Sequence, residues 1–114
     1  MIKDAMIFLN DMLYSIRRIE EMTKGMSEDG FRRGVEKQDA IIRRLSVIGE
    51  ASNNLPKEVR DAHKEIEWGK IIGMRNYLIH EYFEIDLGLV WNTVKLDLPA
   101  LKAKLEKMLK ESDS

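Results

Sequence analysis

The chain has 114 residues and a mass of 13.3 kDa, which is the size of one modest domain. Hydrophobic residues make up 44% and charged residues 34%, so the composition excludes a disordered tail, and no apolar run reaches the roughly 20 residues that a bilayer requires. The absence of cysteine excludes disulfides, a thiol nucleophile and a cysteine-built zinc site, and a net charge of -1 excludes a strongly basic nucleic-acid protein, though not a local basic patch.

Helical periodicity runs through most of the chain and predicts an all-α bundle of four to five helices, in one domain over residues 1–114. The first helix is predicted over residues 2–24 and the second over residues 31–54. Polar turn residues and two glycines in TKGMSEDG separate them. The segment KEVRDAHKE is either a short charged helix or an extended loop with one helical turn.

The C-terminal third continues the helical pattern. One helix is predicted over residues 68–82, and a long apolar repeat follows over residues 86–111. Pro99 interrupts that repeat and Asp97 is a suitable N-cap, so the region is either two helices or one kinked helix. At the other end, MIKDAMIFLND carries acidic residues inside its apolar pattern, unlike a signal peptide, so we expect a cytoplasmic protein with no membrane contact.

The segment WGKIIGMRNYLIHEY breaks its own helical pattern. At about 100° per residue, Arg75 falls in the middle of an otherwise apolar face. That face comprises Trp68, Ile71, Ile72, Leu78, Ile79 and Tyr82. A buried guanidinium is costly unless it is paired or meets an anion. Arg75 therefore either extends past its neighbours, pairs with a carboxylate such as Glu50, or binds an anion.

A second line on the same helix consists of Gly69, Gly73, Asn76 and His80. Two glycines inside a helix cost roughly 1 kcal/mol each relative to alanine, so another backbone or a ligand is expected to need that space. Histidine is the side chain best suited to proton transfer near neutral pH, although a lone histidine more often has a structural or surface role. Arginine, asparagine and histidine within six residues favour a functional site.

Phosphate chemistry suits these residue types. Arg75 can fork onto phosphate oxygens, and His80 can take or give a proton. In RNA the adjacent 2′-hydroxyl is an internal nucleophile, so the reaction needs no metal. His63 and His80 lack metal-ligand spacing, and the chain has no HExxH, EF-hand, P-loop or dinucleotide-binding motif. We therefore predict neither a metal site nor a cofactor site.

The sequence RNYLIHEY resembles the Arg-x4-His-x-Tyr motif of the HepT-like proteins in the HEPN superfamily. The stretch IRRLSVIGEAS at residues 42–52 is similar to the second-helix signature of that family. The Trp68 and Gly73 that precede the motif, the VW at residues 90–91 and the LPAL at residues 98–101 also match. The resemblance covers nearly the whole chain in the same order.

This resemblance implies a HEPN bundle that dimerises and acts as a metal-independent endoribonuclease, the toxin of a type VII-like toxin–antitoxin pair. It implies a partner nucleotidyltransferase of the MNT type, which neutralises the toxin by adenylylating Tyr82. Carried over by the motif, Arg75 and His80 are the catalytic pair, Asn76 supports them, and Glu50 is a candidate helper that orients Arg75. The alternative is a non-catalytic nucleotide- or partner-binding module that assists a minimal nucleotidyltransferase, which the near-neutral charge favours.

The spacing of the catalytic pair bears on assembly. On a straight helix Arg75 and His80 diverge by roughly 140°, so one helix cannot easily aim both at one phosphate. Either the helix ends or distorts near His80, or two copies face each other and share a site. The bare face at Gly69 and Gly73 favours a two-fold homodimer with a shared cleft. The other possibility is a monomer in which Arg75 pairs with Glu50.

Overall fold

Seven α-helices and one π-helical turn make up the structure, a computed structural model that describes residues 3–112. In chain order they are α1 (Lys3–Thr23), α2 (Glu28–Arg33), α3 (Val35–Asn54), α4 (Lys57–Ala62), α5 (Trp68–His80), α6 (Leu87–Asn92) and α7 (Leu98–Ser112), with a π turn (Thr93–Asp97) between α6 and α7. No strand occurs among the described residues, so the prediction of an all-α bundle is confirmed. The predicted start of the first helix at Ile2 lies outside the described residues.

The central helix of the bundle is α3. It packs against α1 on one side and α5 on the other, and α7 packs on α1. The predicted apolar stripes are buried in this core, including Leu9, Leu13, Ile16 and Ile19 of α1, Ile41, Leu45 and Ile48 of α3, and Val90, Leu98, Leu101 and Leu105 near the C-terminus. Each such side chain contributes about 1.5–3 kcal/mol when fully buried. Within residues 3–112 every helix is too short or too polar to cross a bilayer.

The segment predicted as the second helix forms two helices. Ser27 caps α2 by accepting the N–H of Gly30 at 3.0 Å, so this helix begins at Glu28, earlier than expected. Gly34 then takes φ -95° and ψ 82°, outside the helical range, and the chain restarts as α3. The expectation of one helix over residues 31–54 is wrong because Gly34 breaks it.

The helix that carries the motif ends two residues earlier than predicted, at His80. The Glu81 N–H donates to the Tyr77 carbonyl at 2.9 Å, and the chain then turns away from the helix axis. The Tyr77 hydroxyl accepts the Asp86 N–H at 2.8 Å, which ties the turn back onto α5. Tyr82 therefore lies in this turn, not on the helix.

The C-terminal region is helical without a break from Leu87 to Ser112, through α6, the π turn and α7. In a regular α-helix the ring of Pro99 would clash with the carbonyl one turn earlier. The preceding turn widens to π geometry, in which the Leu98 N–H donates to the Thr93 carbonyl five residues back. The suggested N-cap role of Asp97 is wrong, because the chain stays helical there and the Asp97 carboxylate accepts from Lys70 Nζ at 3.3 Å.

A short charged helix, α4, is one of the two forms predicted for KEVRDAHKE. It lies on the surface and buries none of its residues. The loop from α4 to α5 is fixed by Trp68, whose indole N–H donates to the carbonyls of Arg60 at 3.2 Å and His63 at 3.0 Å. This arrangement holds α4 against the beginning of α5.

Candidate active site

Arg75 lies where α5 comes closest to α3. A methyl group on Gly49 would stand 2.2 Å from Cβ of Arg75 and 3.1 Å from the carbonyl oxygen of Ile71. No Cβ atom tolerates such a distance, so α5 can pack this closely on α3 only because residue 49 is glycine. The helical pattern of the sequence points to the glycines of α5 and gives no sign of Gly49, although Gly49 lies next to Glu50 in the IGEA stretch.

The guanidinium of Arg75 is held by two of the predicted site residues. Its Nη2 atom lies 2.7 Å from Oε2 of Glu50, and its Nη1 atom donates to Oδ1 of Asn76 at 2.9 Å. The Nε atom is buried and has no hydrogen-bond partner. The structure therefore brings Arg75, Glu50 and Asn76 together, and it shows the predicted pairing of Arg75 with Glu50.

These contacts leave part of the guanidinium free. Each of the two terminal nitrogens of an arginine carries two N–H groups. In Arg75, Nη2 uses one of its N–H groups for Glu50 and Nη1 uses one for Asn76, so one N–H group remains on each nitrogen. The side chain of Arg75 is 29% exposed and that of Glu50 is 50% exposed, so both meet solvent. A guanidinium in this state can accept an anion without first breaking its contacts with the protein.

Arg75 and Glu50 line a groove of about 1050 Å³ between α1, α3 and the end of α5. Tyr82 and Phe83 border the same groove from the turn after α5, and their rings meet edge to face at 5.2 Å. Tyr82 is 66% exposed and Phe83 is 94% exposed. Ile79, predicted for the apolar face, is 48% exposed and also lines the groove. Tyr82 is thus largely open to solvent in the groove that Arg75 also lines.

His80 does not share this groove. It is the last residue of α5, it is exposed, and it lies on the helix face of Gly69, Gly73 and Asn76. Nothing approaches within 4 Å of the Cβ positions of Gly69 and Gly73, so that face is open. Within one copy of the chain, Asn76 joins the two sides, because it accepts from Arg75 and lies one turn before His80 on the same helix face. The helix α5 ends at His80, which is one of the two arrangements that the spacing of Arg75 and His80 left open.

Within residues 3–112, no group of three or more histidine, cysteine, aspartate or glutamate side chains is placed to hold a metal ion. The side chains that the sequence singled out offer a guanidinium, a carboxylate, an amide, an imidazole and a phenol. This set can bind a phosphate and transfer protons.

The chain matches the model of a family described as ribonuclease HepT-like over residues 12–108. It is 48% identical over 111 residues to a Methanocaldococcus jannaschii protein named "Gamma-glutamylcyclotransferase and putative RNase", covering 97% of this chain but 50% of that protein. It is 43% identical over 103 residues to a "Probable ribonuclease HepT" of Thermococcus cleftensis, covering 90% of this chain and 94% of the relative. A "Putative RNase" of Caldanaerobacter subterraneus subsp. tengcongensis is 36% identical over 104 residues, or 91% of this chain and 93% of the relative. No solved structure matches the chain.

Proposed function

Because the chain belongs to the ribonuclease HepT-like family, we propose that it is an endoribonuclease that needs no metal ion and uses Arg75 and His80 as its catalytic pair. The proposal rests on the exposure of Arg75 and on its contacts with the protein. The side chain of Arg75 is 29% exposed, and its guanidinium is fixed by Glu50 and Asn76 and keeps N–H groups for an anion. An arginine held in this way is preorganised for a phosphodiester.

The reaction uses the 2′-hydroxyl of the RNA as its nucleophile. His80 accepts the proton of that hydroxyl as its oxygen attacks the adjacent phosphorus, and Arg75 neutralises the charge that develops on the phosphate oxygens. The bond from phosphorus to the 5′-oxygen breaks, and this oxygen takes up a proton from a protonated imidazole. The products are a strand ending in a 2′,3′-cyclic phosphate and a strand beginning with a 5′-hydroxyl.

Glu50 and Asn76 position the arginine. Arg75 is long and flexible, and the two contacts at 2.7 and 2.9 Å fix the plane of its guanidinium. Positioning of this kind reduces the entropy lost when the phosphate binds. Glu50 itself does not touch the substrate in this scheme.

The active unit is a two-fold homodimer. On a helix wheel Arg75 and His80 diverge by roughly 140°, and the open face at Gly69 and Gly73 leaves space for a cleft between two copies. The two motif segments then line one shared cleft, where the arginine of one copy and the histidine of the other address the same phosphate.

The biological role is that of a toxin neutralised by an MNT-type nucleotidyltransferase. Such a partner transfers AMP from ATP to the Tyr82 hydroxyl oxygen and releases pyrophosphate. Tyr82 is 66% exposed and lines the groove with Arg75. The added phosphate would occupy Arg75, and the nucleoside would block access to the groove.

A second candidate function is a non-catalytic module that binds a nucleotide or a partner for a minimal nucleotidyltransferase. It is favoured by the mixed charge of the groove, where Asp11, Asp39 and Glu50 accompany Arg43 and Arg75. The net charge of -1 points the same way.

Cleavage of RNA by this chain alone, in EDTA, separates the two functions. The ribonuclease is expected to cut a labelled single-stranded RNA and to leave 2′,3′-cyclic phosphate ends, while His80→Ala is inactive and Lys107→Ala, at an exposed site on α7, stays active. An intact wild-type chain that binds nucleotide but leaves RNA uncut would establish the binding module instead.

A further inference from the structure

We propose that a pocket lined by Lys57, Arg60 and Lys64 binds the phosphodiester backbone of a single-stranded RNA at a distance from the bond that is cut. The inference rests on the proposed ribonuclease function and adds a second contact region for its substrate. The pocket measures about 430 Å³ and lies between α4, the loop after it and the beginning of α5.

The charge of this pocket differs from that of the groove beside Arg75. Its three cations, Lys57, Arg60 and Lys64, outnumber the two acids that also line it, Asp61 and Glu67. In the groove beside Arg75 the acids outnumber the cations instead. The side chains that line the pocket thus carry a net charge of +1 and those that line the groove a net charge of -1, so the pocket is the more favourable of the two for a polyanion.

The three cationic side chains of the pocket are available to bind an anion. Across the described residues, none of Lys57, Arg60 and Lys64 forms an ion pair, whereas Arg75, Lys70 and several other cations do. The Nε atom of Arg60 is buried and has no hydrogen-bond partner. The backbone carbonyl of Arg60 accepts the indole N–H of Trp68 at 3.2 Å, which fixes the base of this side chain next to α5.

The pocket opens onto the face that carries His80. Gly69 lines the pocket and begins the exposed line through Gly73 and Asn76 to His80. Gly69 and His80 are about 16 Å apart along the helix axis, at 1.5 Å per residue. No atom comes within 4 Å of the Cβ positions of the two glycines, so a strand can pass close to the backbone of α5 between the pocket and the catalytic histidine. In the proposed dimer this line forms one wall of the shared cleft.

The geometry that the cleavage reaction requires favours a single-stranded RNA as the substrate. Attack by a 2′-hydroxyl requires that its oxygen, the phosphorus and the leaving 5′-oxygen come into line, and a nucleotide held in an A-form duplex cannot reach that geometry. Single strands also let a protein follow the backbone along a curved path of cations. A flexible strand can therefore place one phosphate beside His80 and another in the pocket.

The test measures how salt affects binding of an uncleavable 2′-O-methyl RNA strand. The pocket variant carries Lys57→Gln, Arg60→Gln and Lys64→Gln, and the control carries Lys24→Gln, Lys107→Gln and Lys110→Gln, which changes the net charge equally outside the pocket. The loss of three phosphate contacts to a single strand should lower the slope of log Kd against log salt by about 2. When the salt concentration rises fourfold, the wild type should therefore lose about 20-fold more affinity than the variant does. The control should keep the wild-type slope.

Steady-state cleavage provides the second readout. The pocket variant should raise KM and leave kcat unchanged, because the pocket holds RNA remote from the reacting atoms. If the triple variant fails to fold, Lys64→Gln alone, in the loop after α4, should lower the slope by about 0.7.

The outcomes also separate this inference from the function on which it rests. Equal salt slopes for the pocket variant and the control, with normal cleavage by the wild type, would overturn the pocket and leave the ribonuclease intact. That result would also follow if the pocket served an acidic protein partner. A wild-type chain that neither binds nor cuts RNA would overturn both.

Discussion

The carboxylate of Glu50 lies 2.7 Å from the guanidinium of Arg75, and this ion pair joins α3 to α5 beside the groove. Both side chains meet solvent, and such pairs contribute about 0–1 kcal/mol to stability. The contact is therefore of little use for holding the helices together. Its consequence is orientation, since it fixes one edge of a guanidinium whose other N–H groups remain available.

Replacing Glu50 with alanine is expected to lower kcat for RNA cleavage by about 10- to 100-fold, because a misplaced arginine no longer matches the phosphate. Glu50→Gln keeps an acceptor oxygen for Arg75 and should retain most of the activity. Thermal melting should change little in either variant. Wild-type kcat in a folded Glu50→Ala chain would show that the pair has no role in catalysis.

Arg75 is expected to be irreplaceable by lysine. Both Arg75→Ala and Arg75→Lys should lose cleavage by about 100-fold or more, because an ammonium is a point charge and does not reproduce the planar fork. Rates under single-turnover conditions measure this directly. Arg43→Ala removes an arginine from the same groove and serves as the matched control, with most activity retained. Strong cleavage by Arg75→Lys would mean that the charge alone suffices.

The sequence predicted what depends on local periodicity and missed what depends on contacts between distant segments. The stripes of α1 and α3 follow from apolar spacing, and the position of Arg75 on an apolar face pointed to a partner such as Glu50. The apolar spacing of the sequence does not indicate the helix break at Gly34, the close packing at Gly49 or the widened turn before Pro99. The need for glycine at residue 49 arises only from α5, and a helix wheel of α3 cannot reveal it.

Replacement by alanine is expected to change the free energy of unfolding in opposite directions at Gly49 in α3 and Gly73 in α5. Gly49→Ala places a methyl group 2.2 Å from Cβ of Arg75, so α5 must move, and overpacking of this kind costs about 1–3 kcal/mol. Gly73→Ala meets nothing within 4 Å and should stabilise the helix by about 0.5–1 kcal/mol. Urea denaturation measures both free energies of unfolding. A Gly49→Ala chain as stable as the wild type would contradict the packing described for Arg75.

Adenylylation of Tyr82 is expected to abolish cleavage. The chain is incubated with ATP and its cognate nucleotidyltransferase, and the site is mapped by mass spectrometry. Tyr14 is 54% exposed but lies away from the groove and should stay unmodified. Tyr82→Phe should remain an active ribonuclease that the partner no longer silences. An adduct on Tyr82 that leaves cleavage unchanged would refute competition for Arg75.

The separation of Arg75 and His80 on α5 leads to a prediction about assembly. Light scattering should give a particle of twice 13.3 kDa at micromolar concentration. A monomer under these conditions would rule out the shared site.

Mixing the inactive Arg75→Ala and His80→Ala chains should then restore activity. In a heterodimer, the arginine of the second chain and the histidine of the first form one complete site, while the other site lacks both groups. Equal mixing makes half of the dimers hetero, and one site of two works in each, so recovery should approach about a quarter of the wild-type rate. Subunit exchange is verified with a tagged chain. Exchange without any recovery would mean that each copy builds its site alone, which would require the end of α5 to bring His80 round to Arg75 when RNA binds.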